Sequence, residues 1–103
     1  MTRKELREII KSELVSITEL FDVKNESYGA EDDAFHNFRQ SALRIYGDDS
    51  RGEMFTILLT LMDKHLVALA NNGINDKEFA GRLRDIIVYS LIGIAMGAEY
   101  EHD

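Results

Sequence analysis

The chain contains no cysteine and no proline. Without cysteine it has no disulfide, no zinc–thiolate centre and no thiol nucleophile, and its compartment stays open on that ground. Without proline, and with seven glycines placed mostly between or late in periodic segments, it favours long helices over a strand-and-turn fold. Basic residues are scarce as well: 12 Lys and Arg stand against 19 Asp and Glu, for a net charge of −7. Counterion-release binding needs clustered cations, and here they are scattered and outnumbered, so no direct nucleic-acid partner is expected. An acidic surplus usually serves solubility, and it is also compatible with carboxylates gathered around a divalent cation. No apolar run approaches the roughly 20 residues that cross a bilayer. The N-terminus, MTRKELREII, is charged and amphipathic, without the continuous apolar stretch of a signal peptide. A cytoplasmic protein with no membrane partner is expected.

Several chemistries are missing too. There is no G-x-x-x-x-G-K-S/T loop, no G-x-G-x-x-G, no H-E-x-x-H and no G-x-S-x-G elbow. The acidic run at 31–33 lacks the alternating spacing of a calcium loop. With no evident nucleophile, the simplest enzymatic option is carboxylate-bound Mg²⁺ acting on phosphates.

What is present reads as helix. At 103 residues and 45% apolar composition, the chain is expected to form a single domain over 1–103. Thr2 and Glu5 fit a capping box. Leu6, Ile9, Ile10, Leu14, Ile17, Leu20 and Phe21 then recur at three- and four-residue steps, predicting a first helix that ends near Asn25 with one buried stripe. A second helix is expected from 31–33, with Ala34, Phe35, Phe38, Ala42, Ile45 and Tyr46 on its apolar face. GDDSRG at 47–52 is a turn. A third runs over about 53–71 with Met54, Ile57, Leu58, Leu61, His65, Ala68 and Leu69 on one face, and Gly73 stops it in a left-handed conformation. Asn75 and Glu78 repeat the capping pattern before a fourth helix whose stripe is Phe79, Leu83, Ile86, Ile87, Leu91 and Ile94. The last half of that helix, IIVYSLIGIAMGA, is apolar nearly all round, which predicts either a central helix or a subunit interface. The expected architecture is an all-α, four-helix bundle-like domain that forms a homodimer or higher homo-oligomer.

The polar residues are concentrated at 24–39, KNESYGAEDDAFHNFR, where Lys24, Asn25, Tyr28, Asp33, His36, Asn37 and Arg39 fall within sixteen residues. Such a density in a connecting segment marks a candidate site. Elsewhere, Glu13 interrupts the apolar stripe of the first helix, so it needs a cation, a donor or a metal. Glu78, Arg82, Asp85 and Tyr89 stack along one flank of the fourth helix at steps of four, three and four. They form either an exposed ladder with Arg82 between two acids, or one wall of a site beside residues 24–39. His65 on the apolar face of the third helix fits a hydrogen-bonded core histidine. His36, beside Asp32 and Asp33, is placed either to ligate a metal or act as a base or, as the better fit, to stand exposed near a helix start, and Lys64 is placed either to reach a phosphate or to snorkel at the surface.

These residues carry a resemblance. The pattern K-N-x-x-Y-G (Lys24, Asn25, Tyr28, Gly29), then D-x-F-x-N-F (Asp33, Phe35, Asn37, Phe38), then Lys64 late in an apolar helix, then D-x-x-x-Y (Asp85, Tyr89), spans about residues 14–97. It resembles a family of small all-α phage and prophage proteins associated with nucleotide modification, themselves similar to the MazG-like and dimeric dUTPase-type NTP pyrophosphatases. The resemblance implies an oligomeric helical fold and an E-x-x-E and E-x-x-D set of acids holding Mg²⁺ on a triphosphate. In this chain Asp85 matches the last acid, Arg82 stands where its Glu partner belongs, and Ser16 follows Glu13 where a second acid belongs. On the nucleotide reading, Glu13, Asp33 and Asp85 are the candidate catalytic residues, with Asp33 and Asp85 as metal ligands. Lys24, Lys64 and Arg39 would contact phosphate, Asn25, Asn37 and Tyr28 would orient base or sugar, and Tyr89 is a further candidate substrate-binding residue. A second reading is a non-enzymatic helical oligomer that serves as an interaction module, with KNESYG a structural corner in which Gly29 takes a positive φ.

Overall fold

The capping box at the N-terminus forms as the sequence predicts. Thr2 Oγ1 accepts the Glu5 backbone N–H, and Glu5 Oε2 accepts that of Thr2, each at 3.1 Å. From there a computed structural model describes the backbone over 1–29 and 32–100, with every side chain in those ranges except at 27, 28, 99 and 100. Among the described residues the protein is all-α and bundle-like: α1 (Arg3–Tyr28), α2 (His36–Tyr46), α3 (Arg51–Asn72), a 3-10 turn (Gly73–Asn75) and α4 (Phe79–Tyr100). No helix among them is long and apolar enough to cross a membrane.

Helix ends depart from expectation in informative ways. α1 runs three residues past Asn25. Its final turn closes through the Gly29 N–H, which donates to the Asn25 carbonyl at 2.9 Å. Gly29 is extended, with φ −113°, so positive φ is not why glycine stands there. A Cβ at this position would sit 2.7 Å from the Ala34 carbonyl oxygen and 3.0 Å from that of Asn25. The corner needs glycine for close backbone approach. α2 starts later than 31–33, at His36, because Asp33 organises the turn ahead of it by accepting the Phe35 N–H at 3.0 Å. The cap position of α2 is Phe35, which makes no side-chain capping hydrogen bond. Ser50 caps α3, its hydroxyl accepting the Glu53 N–H. Gly73 does have positive φ, 61°, but its ψ of −151° lies in a region open essentially to glycine alone rather than in the left-handed helical well. The signal ahead of α4 is Asp76 rather than Asn75: its Oδ1 accepts the Glu78 N–H at 2.8 Å, while Asn75 lies in the 3-10 turn.

The core is small and lies where α3 meets α4, with α2 against α3. It holds Ile17, Phe38, Ala42, Met54, Leu58, Val88, Tyr89, Ile92 and Met96. α3 thus buries the face its periodicity predicted. α4 buries the opposite face from the one expected: Val88, Tyr89, Ile92 and Met96 point inward, and Leu83, Ile87, Leu91 and Ile94 point out. A segment apolar nearly all round carries no periodic signal to choose a face. Among the described side chains of α1, Ile17 alone is fully buried. Leu20 and Phe21 pack partly, while Leu6, Ile9, Ile10 and Leu14 stay exposed. Ile45 and Tyr46 of α2 are exposed as well.

Candidate functional site

Asp76, buried in the turn before α4, begins a chain of polar contacts that crosses three helices. Its Oδ2 accepts from Asn72 Nδ2 at 2.8 Å, and its Oδ1 from the Glu78 N–H and from Arg82 Nε at 3.1 Å. These donors, the Asn72 amide foremost, hold the Asp76 carboxyl below the usual carboxylate range. Arg82, fixed on one side by Asp76, reaches across to α3, where its Nη1 lies 3.3 Å from His65 Nδ1. On the outer side its Nη2 pairs with exposed Glu78 at 3.1 Å.

A guanidinium can only donate, so His65 Nδ1 is the acceptor and the ring proton sits on Nε2. That Nε2 faces Asp85 Oδ2 at 3.2 Å. The second oxygen of Asp85 faces Lys24 Nζ of α1 at 3.6 Å. The Lys24 ammonium also lies 5.2 Å from the centre of the Tyr89 ring, and His65 stacks on the same ring at 6.3 Å. One buried aromatic therefore carries a cation and a neutral imidazole, and one carboxylate joins them.

Burial lowers the His65 pKa, against the pull of Asp85 and with the help of Lys64, Arg82 and Lys24. The geometry agrees, since a second ring proton would point at Arg82. Because the folded pKa lies below the unfolded value near 6.5, the unfolded chain takes up this proton first as pH falls. The His65 contribution to stability is complete above about pH 6.5 and declines from there down to the folded pKa. Melting curves from pH 7.5 to 5 should show wild type losing stability relative to His65→Gln over this window. A constant difference between the two proteins would mean that His65 titrates alike in both states. The carboxylates whose pKa is lowered (Glu13, Asp33 and Asp76) act in a separate, more acidic window, losing their contributions as pH falls below about 4.5.

His65, Glu78, Arg82, Arg84 and Asp85 line a cleft of about 410 Å³, closed on the α1 side by Ser16 and Leu20. Glu13 stands at its border, gripped in bidentate fashion by Arg84 at 2.6 and 2.8 Å. That grip lowers the Glu13 pKa and raises that of Arg84. Glu13 thus has a cation beside it, although its side chain is 38% exposed and the stripe around it is not buried.

Of the residues singled out from sequence, Lys24, His65, Glu78, Arg82, Asp85 and Tyr89 come together here, with Glu13 at the edge. Asp33 and Arg39 pair with each other at 3.0 Å ahead of α2, and that bond lowers the Asp33 pKa. Asn25 lines a separate apolar cleft of about 350 Å³ with Phe21, Phe35, Phe38 and Leu91. Asn37 lines a groove between α2 and α3, and Lys64 is exposed on α3. The Tyr28 side chain lies outside the described residues, as do the three C-terminal residues including His102. The flank of α4 is no exposed ladder, because Tyr89 is 2% exposed and Asp85 turns to His65 and Lys24 rather than to Arg82. Asn72, Asp76 and Arg84 escaped the sequence reading. The only local signal was Asp76, an Asx residue two before Glu78 at a helix start.

The family resemblance calls for Mg²⁺. Among the described residues no three His, Asp or Glu side chains are grouped as a metal site requires. Each candidate acid instead faces its own cationic partner: Glu13 has Arg84, Asp33 has Arg39, and Asp85 has Lys24. This arrangement does not fit a resident ion. Scans against family models, curated proteins and solved structures return no match to the chain.

Proposed function

We propose that this chain is a small helical nucleotide-binding protein of the phage and prophage type its motifs resemble, and that it holds a nucleoside phosphate in the cleft beside Asp85. The supporting observation is convergence. Lys24, His65, Asp85 and Tyr89 come from three helices and meet in one fully partnered cluster, where a bundle core alone requires no charge.

Arg82 is the residue suited to phosphate. Two of its nitrogens are held, by Asp76 and by His65, so the guanidinium plane is fixed before any ligand arrives. The third, Nη2, pairs among the described residues with Glu78 alone, whose side chain is 70% exposed. An exposed ion pair of this kind contributes little, so a phosphate oxygen can take the place of Glu78 with small loss. Asp85, a hydrogen-bond acceptor at the cleft wall, suits a ribose hydroxyl or a base amino group. The reading is one of binding. Any Mg²⁺ would enter with the phosphates of the ligand, as this ion commonly does.

The test is a thermal-shift screen of the full chain against nucleoside mono-, di- and triphosphates, with and without Mg²⁺. A ligand at 100 times its Kd should add about 2.7 kcal/mol, a shift on the order of 10 °C for a domain of this size. Glu78→Gln should bind more tightly, because the competitor for Arg82 loses its charge. Arg82→Lys should bind more weakly, because the fork is gone. If no nucleotide shifts the wild type, the proposal fails.

A further inference from the structure

Building on the nucleotide reading of the cleft, we infer that the site continues past Arg82 into a second subsite for a sugar, and that its ligand is a nucleotide whose terminal phosphate is esterified to a sugar. Arg82 and Glu78 line the cleft beside Asp85, and they also line a separate polar groove of about 620 Å³. The ion pair between them, at 3.1 Å, therefore belongs to both spaces. A phosphate that takes the place of Glu78 on Arg82 has the Asp85 cleft for one of its substituents and the groove for the other.

The remainder of the groove is Asn71, Asn72, Asn75 and Lys77, with buried Asp76 among them, so every described residue lining it is polar. The amide of Asn72 is committed to Asp76. The amides of Asn71 and Asn75 and the Lys77 ammonium have no hydrogen-bond or ionic partner among the described residues. Stopping α3 does not occupy the two asparagine side chains either, because the helix closes through the Gly73 N–H, which donates to the Leu69 carbonyl. Two carboxamides, each able to donate and to accept, match the neighbouring hydroxyls of a sugar. A base would want an aromatic or apolar face to stack on, and no described residue of that kind lines the groove.

Local charge selects the kind of phosphate. Around the groove, Lys77 and Arg82 stand against Asp76 and Glu78, and the charges cancel. With Glu78 displaced, a single positive charge is in excess. A terminal phosphate carries nearly two negative charges at neutral pH and overshoots it. Esterification to a sugar leaves that phosphate one negative charge, which the excess matches. The same balance disfavours a bare polyphosphate tail lying along the asparagines.

Isothermal titration of the full chain with uridine, adenosine and guanosine diphosphate hexoses, each compared with its parent nucleoside diphosphate, tests this. At least one sugar nucleotide should bind about tenfold more tightly than its parent, the worth of two amide–hydroxyl hydrogen bonds. Asn71→Ala combined with Asn75→Ala alters two exposed positions, so it should keep its helical circular dichroism while that advantage vanishes. In NMR spectra the side-chain amide signals of Asn71 and Asn75 should move with the sugar nucleotide and stay in place with the parent. Parents that bind as tightly as every sugar nucleotide overturn the inference and leave the nucleotide reading standing. An advantage that survives the double variant, or amide signals that respond alike to both ligands, overturns it too, since the sugar would then lie elsewhere. If neither kind of ligand binds, the inference falls together with the nucleotide reading.

Discussion

Leu58→Ala should remove about 3 kcal/mol of stability and lower the melting temperature by about 15 °C. Leu58 is 1% exposed and lies in the seam between α3 and α4, the most extensive contact in the fold. The two helices approach closely there because α4 presents Gly93. A Cβ at that position would be 3.4 Å from the Phe55 ring and 3.9 Å from Leu58 Cδ2. Truncating Leu58 deletes packed atoms and leaves a cavity that the crossing cannot easily close. A chain of this length has a net stability of about 5–15 kcal/mol in total, so the loss is a large share. Among the described residues nine make up the buried apolar core, so few are there to compensate. Urea unfolding at one protein concentration measures the effect, with Leu59→Ala as the comparison. Leu59 is the next residue on α3 but 46% exposed, and its truncation should change stability by about 0.5 kcal/mol. Equal losses from the two variants would mean that the buried face of α3 is misassigned. The same seam sets the site, since His65 lies two turns along α3 from Leu58 and meets Asp85 across it. Leu58→Ala should therefore weaken nucleotide binding without touching the cleft.

How far sequence alone led is clearest at particular residues. The Thr2–Glu5 cap, the helix stop at Gly73 and the face of α3 were legible because each is decided within a few neighbouring residues. The buried face of α4 was not, because Leu83, Ile87, Leu91 and Ile94 are as apolar as Val88, Ile92 and Met96, and periodicity cannot choose between them. The α1 stripe was read correctly as apolar and wrongly as buried throughout, since a pattern shows which side avoids water and not what covers it. At the site, Lys24, Asp85 and Tyr89 belong to the motifs that carry the resemblance, and the fold gathers them. Asn25, Asn37 and Lys64 belong to the same motifs, and the fold disperses them among other surfaces. Arg82 seemed committed to Glu78 and Asp85 by helical spacing. Its actual inner partners, Asp76 and His65, depend on how the turn before α4 is wound and on how α3 packs. Gly29 reads as a corner, but what demands glycine there is the Ala34 carbonyl five residues on, whose close approach no local rule describes.

Asp85→Ala should cost about 3 kcal/mol and abolish nucleotide binding, whereas Asp85→Asn should cost about 1 kcal/mol and keep the fold. The aspartate carboxylate stands between two largely buried donors. The side chains of His65 and Lys24 are 9% and 17% exposed, and that of Asp85 is 22% exposed. Alanine leaves the Nε2–H of His65 facing no acceptor and removes the carboxylate 3.6 Å from the Lys24 ammonium, which is the expensive way to break such a group. Asparagine still offers an oxygen to His65 Nε2, so the ring keeps its tautomer and its place between Asp85 and Arg82. What asparagine removes is charge. Asp85 is the one influence raising the His65 pKa against burial and three cations, so in Asp85→Asn that pKa should fall further, and the stability lost below about pH 6.5 should extend to lower pH. Carbon-bound proton shifts of the His65 ring, followed by NMR from pH 7.5 to 4, measure this directly. A His65 titration unmoved by Asp85→Asn would mean that the 3.2 Å contact does not couple the two groups in solution. Because Asp85→Asn preserves the packing, nucleotide affinity in that variant separates the two roles of the residue. Affinity retained at the wild-type level assigns Asp85 to holding the helices together. Affinity lost from a protein that melts near the wild-type temperature assigns it to the ligand.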